Sequence, residues 1–134
     1  MFVRTIEIPV YYIDLVVVIH RDFNEVDRKF KLELKERWAP EDPNDSDAIT
    51  HQHPINLNEI YVIFSPEYLG INAFSHELMH VIGYICSVRG ITPDCENDEP
   101  LAYLQGYISE ELAKIVVAYM DSTKMDLRGF LLPQ

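Results

Sequence analysis

Residues 71–89 read INAFSHELMHVIGYICSVR, and this stretch constrains the fold more than any other part of the chain. It contains no proline, and its large apolar residues recur at intervals of three and four, the spacing of one face of an α-helix. Gly90 follows at a position where helices commonly end. We therefore predict one amphipathic helix over 71–89, with a buried stripe formed by Phe74, Leu78, Val81, Ile85 and Val88.

The pentad His76-Glu77-Leu78-Met79-His80 lies inside this helix and has the pattern H-E-x-x-H. Residues four apart face the same side of a helix, so His76 and His80 should point together, off the apolar stripe. Two imidazoles at this spacing can bind one Zn²⁺, and Glu77 is placed to act as general base on a water molecule. So short a pattern also arises by chance, in which case the histidines are ordinary surface or core residues.

A helix with this pattern resembles the active-site helix of the zincin metallopeptidases. The gluzincin branch takes its third zinc ligand from a glutamate on a second, downstream helix. The resemblance assigns that role to Glu99, in the segment NDEPLAY at residues 97–103. Pro100 suits the first turn of a helix and Asp98 suits an N-cap, so Glu99 should lie at a helix start, where an ionised carboxylate is favoured. The alternative is a surface glutamate that helps to cap the helix.

The second segment departs from the gluzincin pattern at Tyr103. The family commonly has an acidic residue four positions after the ligand glutamate, and this chain has a phenol there. Tyr103 would then contact a ligand or donate a hydrogen bond to a developing oxyanion, and we count it with Glu77 among the candidate catalytic residues. The alternative is a core aromatic residue with a solvated hydroxyl.

The metzincin branch is the competing assignment, because His80-Val81-Ile82-Gly83 continues that branch's H-x-x-G. Its next ligand position is occupied here by Cys86. A thiolate would make a soft, closed site that is less suited to hydrolysis, so Glu99 is the preferred third ligand.

Residues 71–110 also resemble small H-E-x-x-H proteins encoded in bacteriophage and prophage genomes. The two resemblances together leave three functions open. The first and preferred one is a zinc-dependent hydrolase, most readily a metallopeptidase acting on a peptide or protein. The second is a metal-binding phage structural or assembly protein without catalysis. The third is a protein-binding module on a zincin-like scaffold.

Composition narrows the choice of partner and compartment. The chain has 134 residues, which suits a single domain over 1–134. Its 22 acidic residues against 11 Lys and Arg give a net charge of −11, which argues against a nucleic-acid partner. No secretory leader is evident, and the apolar run 10–19 is too short to span a bilayer, so we predict a cytoplasmic protein without a membrane partner. Two cysteines are too few for a disulfide framework.

The order of elements predicts an α+β fold with a small mixed sheet and three main helices, and it resembles a minimal zincin-like domain. We expect a strand or strand pair over 6–19, an amphipathic helix over 20–38, a strand over 59–64, and helices over 71–89 and 98–120. Residues 39–58 contain three prolines and are predicted as a long polar loop. Residues 121–134 are predicted as a C-terminal tail whose apolar end, Phe130-Leu131-Leu132, docks back on the domain.

Two further interpretations concern substrate and a second metal. In zincins, the strand before the active-site helix binds extended substrate by backbone pairing, and Tyr61-Val62-Ile63-Phe64 occupies that position. The alternative is an ordinary internal strand. His51 and His53 alternate within the predicted loop and suggest a second metal, although an exposed pair more often has no such role.

Overall fold

The computed structural model of the protein describes residues 1–131 and has the predicted mixed α+β architecture. Within these residues, four strands form one sheet, and three of the helices have eight or more residues. The elements in chain order are β1 (Phe2–Ile8), β2 (Ile13–Ile19), α1 (Phe23–Phe30), α2 (Leu34–Trp38), β3 (Ala48–Gln52), β4 (Glu59–Phe64), α3 (Ile71–Arg89), α4 (Glu99–Thr123) and α5 (Arg128–Leu131).

The sheet has the order β1-β2-β4-β3. The strands β1 and β2 form an antiparallel hairpin, β2 pairs with β4 in parallel, and β3 returns antiparallel to β4. The crossover from β2 to β4 carries α1, α2 and β3, which gives the sheet its mixed character. Because β4 is paired on both sides, β3 and β1 form the two edges of the sheet.

Side chains alternate between the two faces of the sheet, and each face packs against its own helices. On one face, Leu15, Val17, Val62 and Phe64 are fully buried in a core shared with α3 and α4. On the other face, Val18 and Ile63 pack with residues of α1 and α2. The sheet is therefore the middle of three layers, which explains why β2 and β4 read as continuous apolar runs.

Two predictions about secondary structure are wrong. The single helix over 20–38 is two helices, because Lys31 and Glu33 adopt left-handed backbone conformations that end one helix and begin the next. The side chain of Asp27 accepts hydrogen bonds from the backbone N–H groups of Leu34 and Lys35, which fixes this bend. The predicted loop 39–58 contains strand β3 at its centre.

His51 of β3 is buried, with 5% of its surface exposed, and it connects the strand to the segment that contains α2. Its Nε2–H donates to the backbone oxygen of Leu32 at 2.8 Å, and its Nδ1 accepts from Arg37 at 3.2 Å. Burial lowers the pKa of the His51 imidazole, so the neutral ring, with one donor and one acceptor, suits both contacts. His53 Nδ1 accepts from the backbone N–H groups of Ile55 and Asn56. Both histidines therefore stabilise local backbone structure.

The helices α3 and α4 run in opposite directions along the sheet. Arg89, at the end of α3, donates to the backbone oxygens of Tyr11 and Tyr12 beside the β1–β2 turn. Tyr107 of α4 donates to the backbone oxygen of Glu7 at the same end of the sheet. The chain then returns, so that the Phe130 ring packs edge-on against Phe74 near the start of α3, 5.7 Å between centroids.

The predicted docking of the C-terminal tail is thus found at Phe130, which is 7% exposed. The structure describes α4 to Thr123 and α5 as far as Leu131, whereas Leu132 lies outside the described residues. Over the span 1–131, none of the helices combines the length and the apolar character that crossing a bilayer would require.

Candidate active site

The pentad helix borders a groove of about 800 Å³ between α3 and the edge strand β3. His76, Glu77 and His80 line one wall, and Ala48 to Thr50 line the other. The end of α2 and Leu131 also contribute to its lining. The groove therefore contains all three residues that the pentad singles out as candidates for chemistry.

His76 and His80 project together, as predicted, because α3 is continuous from Ile71 to Arg89 and both side chains lie on its exposed flank. Their Nε2 atoms are 3.1 Å apart. Two nitrogens bound to one tetrahedral zinc at about 2.0–2.1 Å lie about 3.3 Å from each other. The observed separation is therefore close to that of two ligands of one zinc ion, and without metal it also permits a hydrogen bond between the rings.

Glu77 lies between the two histidines in sequence but is turned inwards, and it is only 5% exposed. Its carboxylate Oε2 accepts a hydrogen bond from Thr50 Oγ1 on β3. The same hydroxyl lies 3.4 Å from the backbone oxygen of Glu77. Burial removes the carboxylate from water, and the hydrogen bond from Thr50 offsets part of that cost. The same bond fixes the carboxylate at the wall of the groove.

Strand β3 presents an unpaired backbone edge to this groove. Ser65 N–H donates to Asp47 O, and His53 N–H donates to Glu59 O, which identifies the odd-numbered residues of β3 as the hydrogen-bonded partners of β4. Antiparallel pairing alternates, so the backbone N–H and C=O groups of Ala48 and Thr50 point away from β4. The edge strand beside the pentad is therefore β3. Residues 61–64 were predicted to be the strand that binds extended substrate. They instead form part of the internal strand β4, which was the alternative interpretation.

The structure does not bring Glu99 to the histidines. Glu99 is exposed in the first turn of α4 and does not line the groove. It precedes Tyr107 by eight residues, about 12 Å along a helix, and Tyr107 already lies at the sheet end where α3 stops. His76, in contrast, lies in the second turn of α3, towards the opposite end. Tyr103 is 76% exposed and is also outside the groove.

Cys86, the metzincin-like alternative, is buried in the core side of α3 and does not line the groove either. Burial raises the pKa of its thiol, which disfavours the thiolate that binds metal. Among residues 1–131, no group of three or more His, Cys, Asp or Glu side chains is arranged to hold a metal ion. The described residues thus supply two imidazoles that fit zinc, without a third protein ligand beside them.

Thr50 is the site residue that the sequence did not reveal. It belongs to a five-residue strand in which Ile49 is the one large aliphatic residue, so no alternating pattern marked it. Comparison with known proteins adds no further assignment: no family model, curated protein or solved structure matches the chain.

The placement of Glu99 makes a direct prediction about zinc binding. If His76 and His80 bind zinc, we expect Glu99→Ala to leave the zinc affinity unchanged, because the Glu99 side chain lies at the far end of α3. Competition titration with a zinc-sensitive dye measures the affinity, and Glu96→Ala is a matched control from the same connection. A loss of roughly tenfold or more in Glu99→Ala alone, the size seen when even an outer partner of a metal ligand is removed, would reinstate Glu99 as a ligand.

Proposed function

We propose that the protein is a zinc-dependent hydrolase, most readily a metallopeptidase that acts on an extended peptide held in the groove between α3 and β3. The observation that carries this proposal is the Nε2–Nε2 separation of 3.1 Å between His76 and His80, with the Glu77 carboxylate fixed beside them in one groove. Two imidazoles and one general base are the elements that the H-E-x-x-H pattern requires.

In this proposal His76 and His80 would hold the ion, since their Nε2 atoms are the pair that lies close together. Zinc bound there would supply Lewis acidity, which lowers the pKa of water towards neutrality and polarises a carbonyl group. Glu77 would accept the proton of the attacking water at its carboxylate and later give it to the leaving amine. Thr50 would keep the Glu77 carboxylate oriented between these two transfers, as a positioning residue.

The open edge of β3 favours a peptide as substrate. The outward-facing N–H and C=O groups of Ala48 and Thr50 can pair with an extended backbone, which is a general mode of peptide recognition. Thr50 also touches Glu77, so a peptide paired at this edge would place its backbone beside the base. A metal-binding protein without catalysis, and a protein-binding module, are the alternatives that the tests must exclude.

Metal analysis and chelation test the proposal. Protein purified without added zinc should contain about one zinc per chain by inductively coupled plasma mass spectrometry. It should hydrolyse a dye-labelled unfolded casein, lose that activity in 1,10-phenanthroline, and regain it on addition of zinc. Metal-free protein with undiminished activity would refute the zinc mechanism, and zinc-loaded protein without activity on any unfolded protein would favour the non-catalytic alternatives.

The role of β3 gives a separate prediction for substrate binding. Ala48→Pro removes an outward-facing N–H without removing a bond to β4, a position where edge strands tolerate proline. We expect the KM for a peptide substrate to rise by about tenfold, the equivalent of one lost hydrogen bond of about 1.4 kcal/mol. Zinc content and the thermal midpoint should stay near their original values.

Ala48→Val is the matched control, since valine adds similar bulk and keeps the N–H. Michaelis–Menten analysis of both variants against one quenched fluorescent peptide gives the comparison. Equal KM values for the proline and valine variants would exclude backbone pairing at Ala48.

A further inference from the structure

Arg37 stands out among the groove residues because it is the one Lys or Arg found along its described lining. It extends from the short helix α2, and its guanidinium Nη1 donates to His51 Nδ1 at 3.2 Å. The guanidinium carbon also lies 5.9 Å from the centroid of the Tyr84 ring. The side chain is thus held in a defined place at the groove by two uncharged groups.

No carboxylate pairs with Arg37 within residues 1–131, although the chain has twice as many acidic as basic residues. Arg21 and Arg128 do have a carboxylate partner, Glu67 and Asp126 respectively. What distinguishes Arg37 from the other arginines without such a pair is its place in the groove. A guanidinium has five N–H donors in a planar fork that matches a carboxylate. The contacts of Arg37 leave most of these donors available to a ligand.

The neighbouring residue provides a second, independent observation. Trp38 also lines the groove, and its indole Nε1–H is buried without a hydrogen-bond acceptor in the part of the chain that the structure describes. Buried donors without a partner are rare and require an explanation. The nitrogen is closed to solvent in this conformation, so a ligand oxygen bound beside Arg37 would accept from it after a rotation of the indole ring.

The position of Arg37 relative to the pentad determines how far along a peptide the group bound by Arg37 lies from the reacting bond. Tyr84 follows His80 by four residues, so the two side chains lie one turn apart on the same face of α3. One turn of helix rises about 5.4 Å, and an extended peptide rises about 3.3 Å per residue. A substrate group over Tyr84 would therefore lie within about two residues of the group beside His80.

We propose that Arg37 and Trp38 form a carboxylate-binding subsite of the groove, which selects peptides with a carboxylate within two residues of the bond beside His80. This inference rests on the proposed function and adds a substrate preference to it. The carboxylate is either the C-terminus of a peptide or an acidic side chain, and both present the same planar acceptor to the guanidinium.

Trp38 is the only tryptophan in the chain, so its fluorescence reports on this subsite directly. The full-length Glu77→Gln protein, loaded with zinc, is titrated with four peptides. Acetylated tetraalanine is used with a free C-terminal carboxylate and as its amide, and an amide-capped tetrapeptide is used with one internal glutamate and with glutamine in its place. We expect at least one carboxylate peptide to bind about tenfold more tightly than its neutral match and to change Trp38 emission.

Arg37→Gln should reduce this ratio to about one, and Arg37→Lys should restore part of it, since lysine keeps the charge without the fork. Arg28→Gln, on the exposed side of α1, is the control that should keep the full ratio. The ratio compares two peptides on one protein, so it does not depend on the stability of each variant.

Equal binding of carboxylate and neutral peptides, no binding of any peptide, or a preference that survives Arg37→Gln would each overturn the subsite. Repeating the titration without zinc separates this inference from the proposed function. A carboxylate preference that depends on Arg37 in a protein without zinc or hydrolysis would retain the subsite and refute the hydrolase. Zinc-dependent hydrolysis without a carboxylate preference would retain the hydrolase and refute the subsite.

Discussion

Glu77→Gln is expected to lower the kcat for peptide hydrolysis by about 10²–10⁴-fold while the protein keeps its zinc and its fold. Glutamine has the shape of glutamate but cannot accept and return a proton at neutral pH. Thr50 Oγ1 can still donate to the remaining amide oxygen, so the buried side chain keeps a hydrogen-bond partner at the same place. The loss would therefore report the missing base and not a collapsed groove.

Glu110→Gln provides the matched control for this variant. It makes the same chemical change at an exposed position of α4, where the Glu110 side chain is 73% exposed and lies 4.0 Å from Lys114. Its kcat and KM should equal those of the unaltered protein. If Glu77→Gln retained full activity with zinc bound, the general-base role would be wrong, and the water would have to lose its proton elsewhere.

The long elements of the fold were predictable because their patterns are local. The helix α3 has the predicted bounds, since its apolar stripe and Gly90 both lie within the segment. The apolar run of β4 likewise identified a buried strand, and the mixed sheet with three main helices is confirmed. In each case the pattern of apolar side chains within the segment itself is enough to predict the element.

The strand β3 could not be found in this way, because it is defined by its partners. Its backbone pairs with β4, and His51 is buried through hydrogen bonds to Leu32 and Arg37, which are distant in sequence. The same limit applies to the groove. The two histidines follow from helical spacing alone, whereas the contact of Thr50 with Glu77 requires the register of an unrecognised strand.

The assignment of Glu99 as a zinc ligand came from the family resemblance, whereas the sequence around Glu99 predicts only that a helix begins there. The segment 97–103 correctly indicated a helix start, and α4 begins at Glu99. Which end of α3 that helix start meets depends on the direction of α4 along the sheet. The hydrogen bond from Tyr107 to Glu7 shows that the start of α4 lies at the end of α3 remote from His76. No short-range pattern in the sequence contains that information.

Replacing both His76 and His80 with alanine is expected to abolish stabilisation by zinc. A ligand at a thousand times its Kd stabilises the folded state by about 4 kcal/mol, which for a chain of this length raises the thermal midpoint by roughly 10–20 °C. Both imidazoles lie on the exposed flank of α3 and bury little apolar surface, so their removal creates no cavity. Alanine also has a higher helix propensity than histidine. The metal-free variant should therefore melt at or slightly above the midpoint of the metal-free parent.

Differential scanning calorimetry with and without zinc gives both quantities for each protein. His20→Ala is the control, because His20 pairs with Glu25 away from the groove and should keep the full zinc-induced shift. Binding at His76 and His80 predicts that the shift disappears in the double variant while the metal-free midpoint does not fall. A double variant that still retained one zinc per chain and the full shift would place the metal elsewhere, and would remove the basis of the proposed hydrolase.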